Sequence, residues 1–326
     1  MAPAPQINTV SGPLDATALG KTLGHEHLRF RDDAVAANWP SRYDPAAELR
    51  AAVDAVGVAM AHGVRTIVDP TAMNAGRDVR FLARVAELTG VQIVACTGIY
   101  TFDRLPFYFE NRSVDVMADH FAEDVEQGIQ GTDVRAAFIK VAADEPGITP
   151  GVEKVHRAAA RAALRTGVPI MAHSAPAVDN GPRQVQLLLE EGVDPAHVQI
   201  CHYGDTTDVD QIERLLELGV YVGLDRFGSP RPPFTAARID VAAELLRRGR
   251  GDRLVVSHDF CATIDWFPPE TMEAIVREGE SNPYGMGLVF ERVVPALLEA
   301  GALDDAALQR LFADNPRNWL TGAQRT

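Results

Sequence analysis

Short β-branched runs alternate along this chain with longer segments whose apolar residues recur at helical spacing, and that alternation constrains the fold more than any other feature. The runs lie at 22–28, 64–69, 91–96, 136–141, 168–173, 198–202, 220–224 and 253–259. Helical patterns occupy 45–62, 79–88, 114–127, 152–166, 183–191, 209–218 and 235–248. Strands that pair in parallel need a long crossover, usually a helix, between them. Glycine commonly closes each helix and opens the next strand, as at Gly63-Val64, Gly90-Val91, Gly167-Val168 and Gly219-Val220. Eight such units in a chain of 326 residues predict an α/β fold, a (β/α)8 TIM barrel. Neither a low-complexity linker nor a composition shift divides the chain, so it reads as one domain over 1–326.

The composition suits that fold and narrows the partners. Hydrophobic residues make up 46%, enough for a sizeable core, and 23% are charged. The formal charge of −14 repels nucleic acids and anionic membrane surfaces, so neither is an expected partner. Cys96, Cys201 and Cys261 are widely separated and form no CxxC pair, which suits a reducing compartment. The opening MAPAPQINTV lacks the charged and apolar regions of a signal peptide, and no apolar run is long enough to span a bilayer; a cytoplasmic location is expected.

Chemistry-bearing residues gather at the predicted strand ends. In His25-Glu26-His27 the period-two alternation of a strand puts both imidazoles on one side, where two nitrogens can share a metal. His173 ends the fifth run, His202 the sixth and Asp259 the eighth. Those tips form the rim where barrel enzymes build their sites. Lys140, following Phe138 and Ile139 in the fourth run, points an ammonium into the barrel, which is costly without a partner. Desolvation favours the neutral amine, which can add CO2 to form a carbamate with two oxygens for two cations. His258 must point away from Asp259, toward the helices, and receives no ligand role. His62, His120, His156 and His197 fall on helices or loops and are expected to face solvent.

The ordered set HEH, the strand-four lysine, MAHS, CHYGD, GLDRFG and SHD closely resembles the phosphotriesterase family of the amidohydrolase superfamily, over about 12–319. The resemblance implies a binuclear metal centre at the C-terminal ends of the strands. In it His25, His27 and Asp259 hold the buried metal and His173 and His202 the exposed one. Carboxylated Lys140 and a hydroxide bridge the two divalent ions, with zinc expected and cobalt, manganese or iron suited to the same ligands. CTGIY, with Tyr100 beside the metals, and GLDRFG, with Arg226 where true phosphotriesterases typically carry histidine, point to the phosphotriesterase-like lactonases; PFYFE and DEPGITPGVE also look like lactonase sequence. Asp205 matches the acidic member of the family's proton relay.

What this resemblance implies is lactone hydrolysis, N-acyl homoserine lactones first (quorum quenching), with weak organophosphate triesterase (paraoxonase) activity alongside. Asp259 is the expected general acid and base, Tyr100 a donor near the carbonyl oxygen, and Arg226 a substrate-orienting residue or an ion-pair partner of Asp205 or Asp225. A homodimer is implied too, with the apolar segment 102–109 available for its interface. The alternatives are a true phosphotriesterase, another hydrolase of the superfamily, or a non-catalytic metal-binding protein. Two departures stand out: MAHSAPA, where relatives often have threonine after the histidine, and Cys201, where glycine is common. The stretch 260–284 is the least family-like and is expected to shape the leaving-group and acyl-chain pocket.

Overall fold

In a computed structural model, residues 5–322 are described, so the first four residues of the segment read above for a leader lie outside them. The eight runs form a continuous parallel sheet: β1 (Thr22–Leu23), β2 (Thr66–Asp69), β3 (Gln92–Gly98), β4 (Phe138–Ala142), β5 (Ile170–His173), β6 (Val198–Ile200), β7 (Tyr221–Leu224) and β8 (Leu254–Val256), each beside its sequence neighbour. Seven main helices connect them: α1 (Pro45–Ala61), α2 (Val79–Thr89), α3 (Val114–Glu126), α4 (Pro150–Thr166), α5 (Gly181–Glu190), α6 (Val209–Glu217) and α7 (Thr235–Arg247). This is the (β/α)8 barrel the alternation predicts.

Local chemistry sets the helix ends. Asp44, Asp78, Ser113, Thr149 and Asp208 cap the starts of α1, α2, α3, α4 and α6, their side-chain oxygens accepting first-turn N–H groups that have no partner within the helix. Gly90 and Gly167 end α2 and α4 at φ 79° and 77°, a left-handed conformation open to glycine at no steric cost.

The alternation of side chains divides the core. In β4, Ile139 and Val141 pack outward against the helices, whereas Phe138 fills the barrel against Trp319 of the C-terminal helix, with Val94, Met171 and Val255 around it. Lys140 shares the inward face of Phe138, two residues nearer the mouth. β3 crosses this point tightly: a Cβ on Gly98 would collide with the Lys140 carbonyl, so only glycine fits the CTGIY motif there.

Closure comes beyond the regular ends of β1 and β8, where Glu26–His27 pairs in parallel with Phe260–Cys261. The first run therefore does not extend unbroken over 22–28, and the last strand stops at Val256. The seam is held by the buried Glu26 carboxylate, which accepts from Ser257 Oγ, the His258 amide and ring Nδ1, and the Phe260 amide at 2.6–3.0 Å. His258 Nε2 receives the Val289 amide from the helix layer, so this ring does face away from the barrel mouth. Among the described residues no helix is long and apolar enough to cross a membrane.

Candidate metal centre and active site

The six residues expected to hold metal converge at the C-terminal mouth of the barrel, where all of them line a cavity of about 370 Å³. His25 Nε2 and His27 Nε2 both lie 3.3 Å from Asp259 Oδ1. His202 Nδ1 lies 3.9 Å from Asp259 Oδ2, and the His173 and His202 ring centres are 4.5 Å apart. The sixth and eighth strands end before these residues: His202 and Asp259 adopt left-handed backbone, φ 69° and 53°, which turns each side chain off the strand direction and into the site. Such strain in non-glycine residues is characteristic of functional positions.

Every ring is fixed by an oxygen on one nitrogen. Asp225 accepts from His25 Nδ1 through Oδ2 (2.9 Å) and from His202 Nδ1 and its amide through Oδ1 (3.0 and 2.8 Å). Thr71 Oγ1 meets His27 Nδ1 at 2.7 Å, and Asp144 Oδ2 meets His173 Nε2 at 2.9 Å. These contacts leave His25 Nε2, His27 Nε2 and His173 Nδ1 facing the mouth; the last lies 3.1 Å from Tyr100 Oη. Asp225, Thr71 and Asp144 were missed as site residues at the sequence level, Asp225 having been considered only as a partner for Arg226. Orientation by such oxygens is the usual support of metal-binding histidines.

Electrostatics favours the forms a cation needs. Burial holds His25 and His202 below the ordinary histidine value and brings His173 down to about 4, which keeps the rings neutral. For Asp259, burial acts upward, but the Arg226 guanidinium overrides it and holds the carboxyl well below the usual range. Burial also pushes the Tyr100 phenol up, so it remains a proton donor.

The donor set suits divalent metal. Lys140 is 1% exposed and its Nζ has no hydrogen-bond partner among the described residues, an arrangement that a carbamate between two cations would satisfy. His25, His202 and Asp259 offer ligand atoms within 4.8 Å of one another, as do His25, Cys201 and Asp225. The second group is poorer: both Asp225 oxygens are engaged by histidines, and burial pushes the Cys201 thiol well up, away from thiolate.

Arg226 Nε donates to Asp259 Oδ2 at 2.8 Å, and its Nη1 donates to Asp205 Oδ2 at 2.6 Å. The expected pairing with Asp205 is present; Asp225 is not its partner, because that carboxylate is consumed by the two rings. His156 corrects another expectation. It is fully buried, its nitrogens facing Val152 O at 2.8 Å and Gln184 Oε1 at 2.9 Å.

The barrel and its rim site define a hydrolase of a metal-dependent type, and comparison with known proteins places it. The phosphotriesterase family model matches residues 5–320, and this chain belongs to that family. It is 42% identical to the aryldialkylphosphatase of Saccharolobus solfataricus, across 94% of this chain and 97% of that one. The structure of the phosphotriesterase from Mycobacterium tuberculosis superposes with a TM-score of 0.89 at 38% identity, covering 97% of this chain and 98% of the other. A more distant relative, the N-acetyltaurine hydrolase of Rattus norvegicus, is 27% identical across 97% of this chain and 98% of its own length.

Proposed function

We propose that this single-domain chain is a two-metal lactonase acting on N-acyl homoserine lactones, with weak organophosphate triesterase activity. The observation that carries the reading is a second cavity, of about 430 Å³, that meets the first at Arg226 and Asp259 and is walled by Phe267, Met272, Ile275 and Val276. A polar reacting head beside a recess with an apolar wall suits an acylated lactone: the ring at the centre, the chain in the recess. The loop after β8 provides most of this wall.

His25, His27, Lys140 as a carbamate, His173, His202 and Asp259 would hold the two ions, which when bound supply a deprotonated water and a fixed positive charge for the carbonyl oxygen. Tyr100 donates a hydrogen bond near that oxygen, adding to the stabilisation of charge that develops there. Asp259 takes the one remaining proton of the attacking hydroxide as the carbonyl adds it, and delivers that proton to the leaving alkoxide. Arg226 holds Asp259 ionised and faces the leaving group; Asp205 anchors Arg226 from behind. Phe107, 90% exposed, and Tyr108 suit the homodimer interface, and a cytoplasmic setting accompanies the quorum-quenching role.

The test is to purify the protein from medium of defined metal content, count bound metal, and follow proton release from an N-acyl homoserine lactone with and without chelator. Paraoxon and N-acetyltaurine are measured in parallel. Two metals per chain and chelator-sensitive ring opening, faster than either comparison substrate, are expected. Faster turnover of paraoxon or of the amide would overturn the lactone assignment.

A further inference from the structure

Arg238 lies in the first turn of α7 and is 2% exposed. That is an unfavourable place for a guanidinium, since burial strips its hydration and the N-terminal end of a helix carries partial positive charge. Its compensation is Asp205: Arg238 Nη2 donates to Asp205 Oδ1 at 2.6 Å. The other oxygen of Asp205 accepts from Arg226 Nη1, and Arg226 Nε donates to Asp259 Oδ2. A chain of alternating charge thus runs from the helix layer to the centre: Arg238, Asp205, Arg226, Asp259.

The arrangement matters because a carboxylate and an arginine with no competitor prefer a two-pronged fork, with both oxygens on one guanidinium. Arg238 occupies Oδ1 of Asp205 and so limits Arg226 to a single oxygen, leaving its Nε for Asp259. With Arg238 removed, Asp205 is free to close on Arg226 with both oxygens and draw it off Asp259. We propose that Arg238 is a positioning residue for Asp259, acting through Asp205 and Arg226. The proposal rests on the reading of Asp259 as proton carrier. A purely structural role exists beside it, since Arg238 Nη1 lies 3.4 Å from the Arg231 carbonyl of the loop that lines both cavities.

Two readouts on the zinc-loaded protein separate the roles. The first is kcat and KM for the best substrate of the wild type; the second is the Arg226 Nε–H signal in a ¹⁵N-arginine NMR spectrum, assigned by its loss in Arg226→Lys. In Arg238→Met, kcat is expected to fall about 10- to 100-fold, the range for residues supporting a metal ligand. KM is expected to stay within about twofold, and the Arg226 signal to shift or broaden. Arg238→Lys, whose ammonium can still occupy Oδ1 of Asp205, is expected to recover part of kcat and the signal.

An unchanged Arg226 signal overturns the proposal, as does a rise in KM with kcat intact, which would assign Arg238 to support of the loop. If Arg238→Met does not fold, Arg238→Gln is read by the same criteria. If the wild type hydrolyses no lactone, phosphotriester or amide, the functional reading fails, while the Arg226 signal still decides whether Arg238 positions it.

Discussion

On the floor of the site, His25, Lys140 and His202 are each 1% exposed and the histidine rings are tied to fixed oxygens. On the rim, Trp266 is 36% and Val276 73% exposed, and the helix Pro269–Glu278 that carries Val276 has no buried residue. Lys140 comes from a strand paired on both sides, and His25 and His202, just beyond strand ends, are clamped by the same Asp225 carboxylate, so each position is determined several times over. Rim side chains rest on edge-to-face aromatic contacts, as between Trp266 and Phe30 at 5.1 Å, and on apolar surface. The difference teaches a division of labour: the geometry proposed to hold metal is locked into the barrel, whereas the surface proposed to choose a substrate lies where change costs the fold little.

The most severe way to break the floor is Lys140→Met, which preserves bulk but cannot form a carbamate. Loss of the metal pair is expected, with a fall in hydrolysis larger than the about 10²- to 10³-fold typical of removing a single preorganised donor. Metal counting alongside rates checks it; two retained metals with full activity would refute the role of Lys140. Asp225→Asn acts one layer further out. Its single oxygen cannot serve both His25 and His202, and its amide would confront a ring N–H. Metal affinity should drop about 10- to 100-fold, measured by chelator competition.

The rim should respond in the opposite manner. Trp266→Ala removes a large ring from the cavity mouth and leaves the ligands untouched. Metal content should be unchanged, while kcat/KM falls by about tenfold, the scale on which an apolar pocket discriminates, for long-chain and short-chain lactones alike, because Trp266 walls the cavity of the ring and not the recess of the chain. A Trp266→Ala protein that lost metal would erase the boundary between the two regions.

That boundary also separates what was legible in the sequence from what was not. The floor ligands could be read because each obeys a rule within one element: two histidines at period two, a lysine on the inward face of a strand, residues at strand tips. Their supports could not, because Asp225 reaches His25 and Glu26 reaches His258 across barrel closure, which joins residues about two hundred positions apart. The turns at His202 and Asp259 were hidden likewise, since nothing in CHYGD or SHDF signals a left-handed residue. His156 is different, for its signal was present. It falls with Val152, Val155, Ala159 and Ala163 on the apolar face of α4, a spacing that should have outweighed its polarity.

His156 offers the smallest test and carries the comparison behind the floor. From its ring a buried series of hydrogen bonds passes through Gln184 (2.9 Å) and Asn180 (3.3 Å) to the Asp144 carbonyl (3.2 Å), and the Asp144 side chain orients His173. Burial holds His156 below its ordinary value of 6.5, so the folded state keeps the ring neutral. Above pH 6.5 this group imposes no pH dependence. As pH falls below 6.5 the unfolded chain takes up the proton first, and stability is lost until the folded pKa is reached, at no more than about 1.4 kcal/mol per pH unit. In His156→Gln that slope contribution is absent. The melting temperature of the variant should start lower at pH 7 and decline less between pH 7 and pH 5 than that of the wild type, with metal content unchanged at pH 7. Parallel declines would mean that His156 is protonated in the folded protein as readily as in the unfolded chain, and that the helix layer behind His173 tolerates a charge that the floor itself does not.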